Sequence, residues 1–225
     1  EKRPEETDLL VELRSTVLRQ LVAVNDSQTV AEAIARFERS LVDAQSAMLS
    51  SDLWGVVYGA VAKWGEPAEK RFEQLLGVFK ASNNQDQRVQ LLGAMSSIKD
   101  PVVLNKVLHW SVESGDVRKQ DLHVLATIAG KNNPEIAFEF LKEKWGWIRE
   151  VFAGGQFLLG RIASMCITEF NTKDKLAEVE EFFKAHPTPE ITMKINQTLE
   201  TIRTQIKWLD NAKDDIHSFL SKQSL

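Results

Sequence analysis

The sequence holds little of several features on which protein classes depend. Among its 225 residues there is one cysteine, Cys166, so the chain cannot form an internal disulfide bond. No apolar run approaches the roughly 20 residues that a membrane-spanning helix needs. The 28 basic residues do not outnumber the 32 acidic ones, and nucleic-acid binding requires a basic face. We therefore expect neither a membrane span nor a nucleic-acid partner.

The sequence also lacks the common catalytic and metal-binding motifs. Its four histidines include no H-E-x-x-H pair of the kind that binds zinc. No glycine-rich segment follows a strand pattern, which leaves nucleotide binding without support. Cys166 falls on an apolar helix face and is predicted to be a buried thiol. His109 and Glu113 are four residues apart and are expected to pair on a helix surface.

The beginning of the chain, EKRPEETDLL, has no apolar core of a signal peptide. We interpret it as a cut within a larger protein, with residues 1–6 as a linker or disordered segment. The single cysteine favours a cytoplasmic setting. Two N-x-[ST] tripeptides, at Asn25 and Asn196, leave a secretory route or a membrane-anchored ectodomain open as the alternative.

Apolar periodicity is what the sequence does have. Residues 136–183 carry three successive apolar stripes, with breaks predicted at Gly146, at 154–155 and at 171–172. The apolar residues recur at steps of three and four, which places each stripe on one face of a helix. Because alternation with a period of two never lasts, the sequence predicts an all-α protein.

Helix boundaries repeat along the whole chain. Thr7 is predicted to cap the first helix, and four of the six prolines are predicted to lie just inside helix starts. A pair of helices takes about 35 residues, as in helical-repeat families. The fold class that we predict is an α-solenoid of antiparallel helical hairpins, HEAT/armadillo-like, as one domain over residues 1–225. A compact orthogonal bundle is the alternative.

The first helix carries more apolar residues than one stripe needs. Its inward-facing stripe is predicted to comprise Leu10, Leu13, Val17, Leu21 and Val24. Leu9, Leu18 and Val22 lie off this line, and we expect them to form an exposed apolar patch.

Other predictions concern helix ends and tryptophans. Residues 116–129 are predicted to form one helix, and a separate short helix is predicted around 216–220. Trp64, Trp145 and Trp208 are predicted to lie in the core. The other three tryptophans, Trp54 among them, are predicted to pack at the edge of the core, with peptide contact on a concave surface as the alternative.

Six strings, taken together, carry a resemblance to a known family. They are AEAIARFERSL at 31–41, LSSDLWGVVYGAVAKWG at 49–65, LLGAMSSIKDPVVLNKVL at 91–108, VRKQD at 117–121, FLKEKW at 140–145 and EVEEFFKAHPTPE at 178–190. In content and order they resemble the C-terminal region of the puromycin-sensitive aminopeptidases, a group within the gluzincin family of zinc aminopeptidases. The resemblance covers nearly the whole chain, and its specificity comes from the series rather than from any one string.

This resemblance implies a helical-hairpin domain that closes over a separate zinc catalytic domain. In that family the two domains enclose a cavity that screens peptides by length and sequence. The family's zinc motif and G-A-M-E-N loop belong to earlier domains and are absent from this sequence. We therefore expect no cofactor in this chain, zinc in the missing catalytic domain, and no activity of the chain alone. The expected partners are that catalytic domain, in the same polypeptide, and peptide substrates.

Four residues are candidate peptide contacts. Arg118, Gln120 and Asp121 match the family's R-x-Q-D string and are expected to form a polar cluster at a hairpin turn, facing the cavity. Trp54 stands where the group usually has an arginine, so a charge-based role is not carried over to it. The structural alternative for Arg118 is an internal ion pair with Asp121, which lies three residues on, at a helix start that Asp116 is expected to cap.

Two other functions remain open from the sequence. The first is a free-standing helical-repeat module that binds proteins on its concave face, and the second is an enzyme of unrecognised type. An H-E-x-x-H motif upstream of this chain would decide for the aminopeptidase domain.

Overall fold

The computed structural model describes residues 7–43 and 48–222, and within them it contains eleven α-helices, three short 3₁₀ helices and no β-strand. The all-α prediction is confirmed. The helices are α1 (Asp8–Ala23), α2 (Ser27–Val42), α3 (Trp54–Trp64), α4 (Ala68–Ala81), α5 (Gln85–Met95), α6 (Pro101–Glu113), α7 (Leu122–Asn132), α8 (Pro134–Val151), α9 (Gln156–Met165), α10 (Lys173–Ala185) and α11 (Thr192–Lys222). The 3₁₀ helices are Ser51–Leu53, Lys119–Asp121 and Pro189–Ile191.

The chain divides into two compact units, residues 1–128 (unit 1) and residues 129–225 (unit 2). Each unit has its own buried apolar side chains. The stacking of antiparallel hairpins into a solenoid, and the assignment of residues 1–225 to one domain, stay predictions.

Helix starts follow the capping chemistry that the sequence offers. The Thr7 side chain accepts a hydrogen bond from the backbone N–H of Leu10, as predicted. Asp100 caps α6, whose first residue is Pro101. Helix α2 begins at Ser27, and the side chain of its cap residue, Asp26, accepts the backbone N–H of Thr29 at 2.9 Å.

Helix α3 is the central helix of unit 1. It packs against α1, α2, α4 and α5. Six of its eleven residues are buried, and they are not confined to one stripe. A helix that is apolar on most of its surface is stable in water only when other helices surround it. The sequence GVVYGAVA therefore fixes α3 as the element on which the other helices of unit 1 assemble.

The buried face of α1 is not the one that the sequence suggested. Val22 is only 5% exposed, whereas Leu13 and Val17 are 56% and 48% exposed. The buried side of the helix is held by polar contacts to the rest of unit 1. Ser15 Oγ donates to the carbonyl of Asp52 at 2.7 Å, and the Trp64 indole donates to the carbonyl of Val22 at 2.7 Å. Four residues of the predicted inward stripe are thus exposed, whereas Leu21 is half-buried and Val22 belongs to the core.

Three further predictions about helices in unit 2 were wrong. Gly146 lies inside α8, which runs without interruption from Pro134 to Val151, so it does not break the helix. Helix α11 runs for 31 residues without interruption, so no separate helix exists at 216–220. Trp208 is 57% exposed because the buried residues of α11 end at Ile206.

The core of unit 2 contains a cluster of aromatic rings in contact with one another. Phe138 is fully buried, and its ring lies edge-on to Phe170 and to Phe182, with centroid distances of 5.6 and 5.7 Å. Trp145, 3% exposed as predicted for a core residue, contacts Phe182 and Phe183 in the same edge-to-face manner. Such arrangements add to the free energy gained from burial alone. This aromatic core joins α8 to α10.

A network of ion pairs lies beside this aromatic core. We call it the Glu178 cluster, and its members are Glu135, Glu139, Lys142, Lys175 and Glu178. Glu178 Oε1 accepts from Lys142 at 2.7 Å and Glu178 Oε2 accepts from Lys175 at 2.8 Å. The two ammonium groups also lie over the rings of Phe138 and Phe170. The cluster therefore links α8 to α10 through charge as well as through apolar contact.

Candidate functional site

The predicted site residues lie in the connection between α6 and α7 of unit 1. Helix α6 ends at Glu113, and Gly115 follows with a φ of +74°, a conformation that favours glycine. The backbone of Arg118 is extended, and residues 119–121 then form one 3₁₀ turn before α7. The prediction of a helix from 116 was wrong, because α7 begins only at Leu122.

Asp116 holds this connection against three neighbouring helices. Its carboxylate accepts the indole N–H of Trp110 at 3.2 Å and pairs with Lys80 at 3.5 Å. Its backbone carbonyl accepts from Arg88 at 2.7 Å, and the Arg88 guanidinium lies 4.2 Å from the centre of the Phe79 ring. Asp116 is therefore engaged by residues of α4, α5 and α6 and is not paired with Arg118.

Arg118 and Asp121 are brought together through a third residue, Gln85, at the start of α5. The amide nitrogen of Gln85 donates to Asp121 Oδ2 at 2.8 Å. The amide oxygen of Gln85 accepts a hydrogen bond from Arg118 Nη2. We call these three residues the Arg118 cluster. The cluster spans the connection and α5 with polar contacts alone.

Exposure differs sharply among the residues of the R-x-Q-D string. Asp121 is 8% exposed, whereas Arg118 and Gln120 are exposed to solvent. The carbonyl of Gln120 lies 2.6 Å from Nδ1 of His123. Within residues 7–43 and 48–222, no carboxylate forms an ion pair with Arg118. Asp121 is thus an internal anchor, and Arg118 presents a positive charge to solvent.

Trp54 takes part in a different set of contacts. It is half-buried at the first residue of α3, and its indole N–H donates to the carbonyl of Leu49 at 3.2 Å. Its role as a peptide contact stays a prediction.

Sequence reasoning missed Gln85. It lies in a polar run after α4 that reads as a turn, and 33 residues separate it from Arg118. Nothing in the local pattern marks such a distant partner. Its position directly after the α5 cap, Asn84, is the one signal that places its side chain at a helix end.

The structure also bears on the chemistry that the chain could carry. Among the residues it describes, no group of three or more His, Cys, Asp or Glu side chains comes together in a way that could hold a metal ion. Cys166 is 2% exposed, and burial raises the pKa of its thiol to about 12. A thiol of that pKa is not a nucleophile at neutral pH, and the prediction of a buried thiol is confirmed. His109 Nδ1 lies 3.2 Å from Glu113 Oε1, the surface pair expected from their spacing.

No helix in the described part of the chain is long and apolar enough to cross a bilayer.

The described residues are thus all-α, with an anchored, solvent-exposed arginine in unit 1. The model of the ERAP1-like C-terminal domain matches residues 1–204. The chain belongs to that family.

Relatives in plants and animals extend this result. Over 93% of this chain, 30% of residues are identical to aminopeptidase M1 of Arabidopsis thaliana, and the match covers 24% of that protein. Aminopeptidase M1-A of Oryza sativa subsp. japonica is 29% identical over 89% of this chain and 23% of its own length. Endoplasmic reticulum aminopeptidase 2 of Bos taurus is 27% identical over 92% of this chain and 22% of its own length. The chain thus spans about a quarter of the curated relatives that it matches.

Proposed function

We propose that this chain is a non-catalytic C-terminal domain of a zinc aminopeptidase, where it helps to enclose the substrate and to select peptides for removal of their N-terminal residue. Membership of the ERAP1-like C-terminal domain family and relatives named as aminopeptidases support this proposal. The zinc and its ligands then belong to the part of the polypeptide outside this chain. A free-standing interaction module fits less well, because the matched relatives are about four times as long.

The observation that carries the peptide-selecting role is the state of Arg118. Its guanidinium is exposed, is tied to Gln85, and pairs with no carboxylate among the described residues. An arginine fork with free N–H groups can bind a carboxylate through two parallel hydrogen bonds. The matching ligand on a peptide is the C-terminal carboxylate or an acidic side chain. A carboxylate held at a fixed distance from the catalytic centre makes selection depend on peptide length.

Gln120 and Asp121 have different places in this proposal. Gln120 is exposed next to Arg118 and extends the polar surface on which a peptide lies. Asp121 is buried and supports the site from below rather than contacting the peptide. Trp54 supplies an apolar surface for a peptide side chain elsewhere on unit 1.

The test uses the full-length polypeptide that carries this chain. Arg118→Ala is compared with wild type on peptides of graded length, on the same peptides with an amidated C-terminus, and on a small aminoacyl chromogenic substrate. For peptides with a free carboxylate we expect KM to rise about 10- to 150-fold, since a hydrogen bond to a charged group contributes about 1.5–3 kcal/mol. The amidated peptides and the small substrate should be cleaved as by wild type.

Lys119→Ala is the matched control, because it removes the same charge from the adjacent exposed residue. It should change KM less than twofold if the position of the guanidinium matters more than net charge. Arg118→Lys should fall between wild type and Arg118→Ala, because an ammonium group lacks the two-pronged geometry. An equal loss on all substrates, together with a lower melting temperature, would show that Arg118 is structural.

We place the protein in the cytoplasm as part of this proposal. The buried, reduced Cys166 agrees with that compartment. The bovine relative carries the endoplasmic reticulum in its name, which keeps the secretory pathway as the alternative.

A further inference from the structure

The Arg118 cluster contains a residue whose role goes beyond the candidate contacts. We infer that Gln85 is a positioning residue, which holds the Arg118 guanidinium in one orientation by linking it to the buried carboxylate of Asp121. This inference rests on the proposed function, since it gives the means by which Arg118 is prepared to bind a peptide carboxylate.

The backbone of Gln85 is held in place at the start of α5. Gln85 is the first residue of α5, directly after Asn84, whose side chain accepts the backbone N–H of Gln87 at 3.0 Å. The Gln87 amide nitrogen donates to Tyr58 Oη at 2.7 Å, and its amide oxygen accepts from Ser82 at 2.6 Å. Tyr58 is only 1% exposed. The first turn of α5 is therefore fastened to the core of unit 1.

The orientation of the Gln85 amide is set by its two hydrogen-bond partners. A carboxylate accepts hydrogen bonds, so the amide NH₂ must face Asp121. A guanidinium donates only, so the amide oxygen must face Arg118. Both contacts in the structure have this sense. If the amide flipped, its NH₂ would face the donors of the Arg118 guanidinium and its oxygen would face the carboxylate of Asp121. These two neighbours therefore fix the orientation of the amide.

The neutral amide of Gln85 keeps the carboxylate of Asp121 from pairing directly with Arg118. A direct pair between Asp121 and Arg118 would occupy the arginine fork with a carboxylate of the chain itself. The neutral amide between them ties Arg118 in place through Nη2 while leaving the other N–H groups of the guanidinium for a ligand. A ligand carboxylate therefore meets an arginine that is already ordered.

An arginine that is already ordered should bind a peptide carboxylate more tightly than a mobile one. An exposed arginine that moves freely loses rotamer entropy when it binds a ligand, and part of that loss is avoided when the side chain is already ordered. Removal of the Gln85 amide should therefore weaken binding of carboxylate peptides without changing the chemical step. We expect KM to rise about three- to tenfold and kcat to stay the same.

The experiment substitutes Gln85→Met in the full-length polypeptide, because methionine has a similar length and helix propensity but no amide. Gln90→Met is the matched control, the same change at an exposed position of α5. KM is measured on carboxylate peptides, on their amides and on the small substrate, in the wild-type and the Arg118→Ala backgrounds. The Gln85 change should raise KM for carboxylate peptides only, and should add nothing once Arg118 is alanine. The control should match wild type.

The outcomes separate the inference from the proposed function. If Arg118→Ala raises KM and Gln85→Met does not, the positioning role is wrong and the peptide contact stands. If Gln85→Met still raises KM in the Arg118→Ala background, Gln85 acts in some other way and the inference is also wrong. If Arg118→Ala does not change KM, Arg118 does not contact the peptide, and the positioning role of Gln85 is wrong as well.

Gln85→Glu provides a second variant should the methionine variant fail to fold. A glutamate at this position would pair with Arg118 itself and would face the carboxylate of Asp121. It should raise KM for carboxylate peptides, because the guanidinium is then occupied by the chain. An unchanged KM for this variant would overturn the inference.

Discussion

The Glu178 cluster of unit 2 and the Arg118 cluster of unit 1 join helices with similar groups but end differently. In the Glu178 cluster both cations, Lys142 and Lys175, pair with two carboxylates each. In the Arg118 cluster the one buried carboxylate is reached only through an amide, and the cation at the end is exposed. In the Glu178 cluster every cation is paired within the protein, whereas the Arg118 cluster has a cation with no carboxylate partner among the described residues, which is able to bind a ligand.

The two clusters also have different structural surroundings. Lys142 and Lys175 of the Glu178 cluster lie over Phe138 and Phe170, with ammonium-to-centroid distances of 4.9 and 5.4 Å. The Arg118 cluster is built on a turn, next to the polar anchor of Asp116. We therefore expect changes near the Glu178 cluster to affect stability, and loss of the exposed Arg118 side chain to affect binding.

The largest expected effect comes from the aromatic core beside the Glu178 cluster. Trp145→Ala should lower the free energy of unfolding by about 3–5 kcal/mol, because it leaves a cavity against Phe182 and Phe183. Denaturant unfolding followed by circular dichroism measures this loss, which should appear in the transition of unit 2. Trp145→Phe is the control. The buried indole nitrogen has no hydrogen-bond partner, so phenylalanine removes no bond and should cost less. A loss below about 1 kcal/mol for alanine would contradict the importance of this core.

A smaller effect, with a pH dependence, is expected from Glu178 itself. Its hydrogen bonds to Lys142 and then to Lys175 lower the pKa of the Glu178 carboxyl below its ordinary value. Because the folded-state pKa is below the unfolded-state value of about 4.3, Glu178 stabilises the folded chain above that pH. The contribution is lost as the pH falls through the folded-state pKa.

Glu178→Gln should therefore cost about 1 kcal/mol at pH 7, as partly exposed ion pairs do, and progressively less as the pH is lowered from the unfolded-state value of about 4.3 through the folded-state pKa. Unfolding curves for both proteins across this pH range test the expectation. Glu181→Gln, at an exposed position of the same helix, should track wild type throughout. A difference between Glu178→Gln and wild type that did not shrink in acid would mean that the charge of Glu178 is not the source of its stabilisation.

The sequence was sufficient for the fold class because helical periodicity is a local property. The choice of the buried face of α1 was not local. Both faces of α1 carry apolar residues, and the neighbours that cover one of them, such as Trp64, are distant in sequence. Gly146 shows a different limit. A glycine inside a helix costs only about 1 kcal/mol relative to alanine, which packing of the surrounding helix outweighs.

The candidate site was predictable only in part, for a related reason. The string VRKQD pointed to Arg118 and Asp121 through a resemblance, and the structure does connect these two residues. Their burial could not be foreseen, since the spacing of the string is the same whether Asp121 faces inward or outward. Gln85 completes the cluster from another helix, and one sequence carries no sign of such a pairing.

The smallest expected effect sharpens the contrast between the two clusters. Arg118→Ala should change the free energy of unfolding of this chain by less than about 0.5 kcal/mol, because the side chain is exposed and makes one hydrogen bond to a neutral amide. Asp121→Ala should cost distinctly more, about 1–3 kcal/mol, since it leaves the Gln85 amide N–H groups without their acceptor in a partly buried site. Thermal and denaturant unfolding of both variants measures the difference. A large loss for Arg118→Ala would place the arginine with the scaffold, as in the Glu178 cluster, and remove the physical reason for assigning it to a peptide carboxylate.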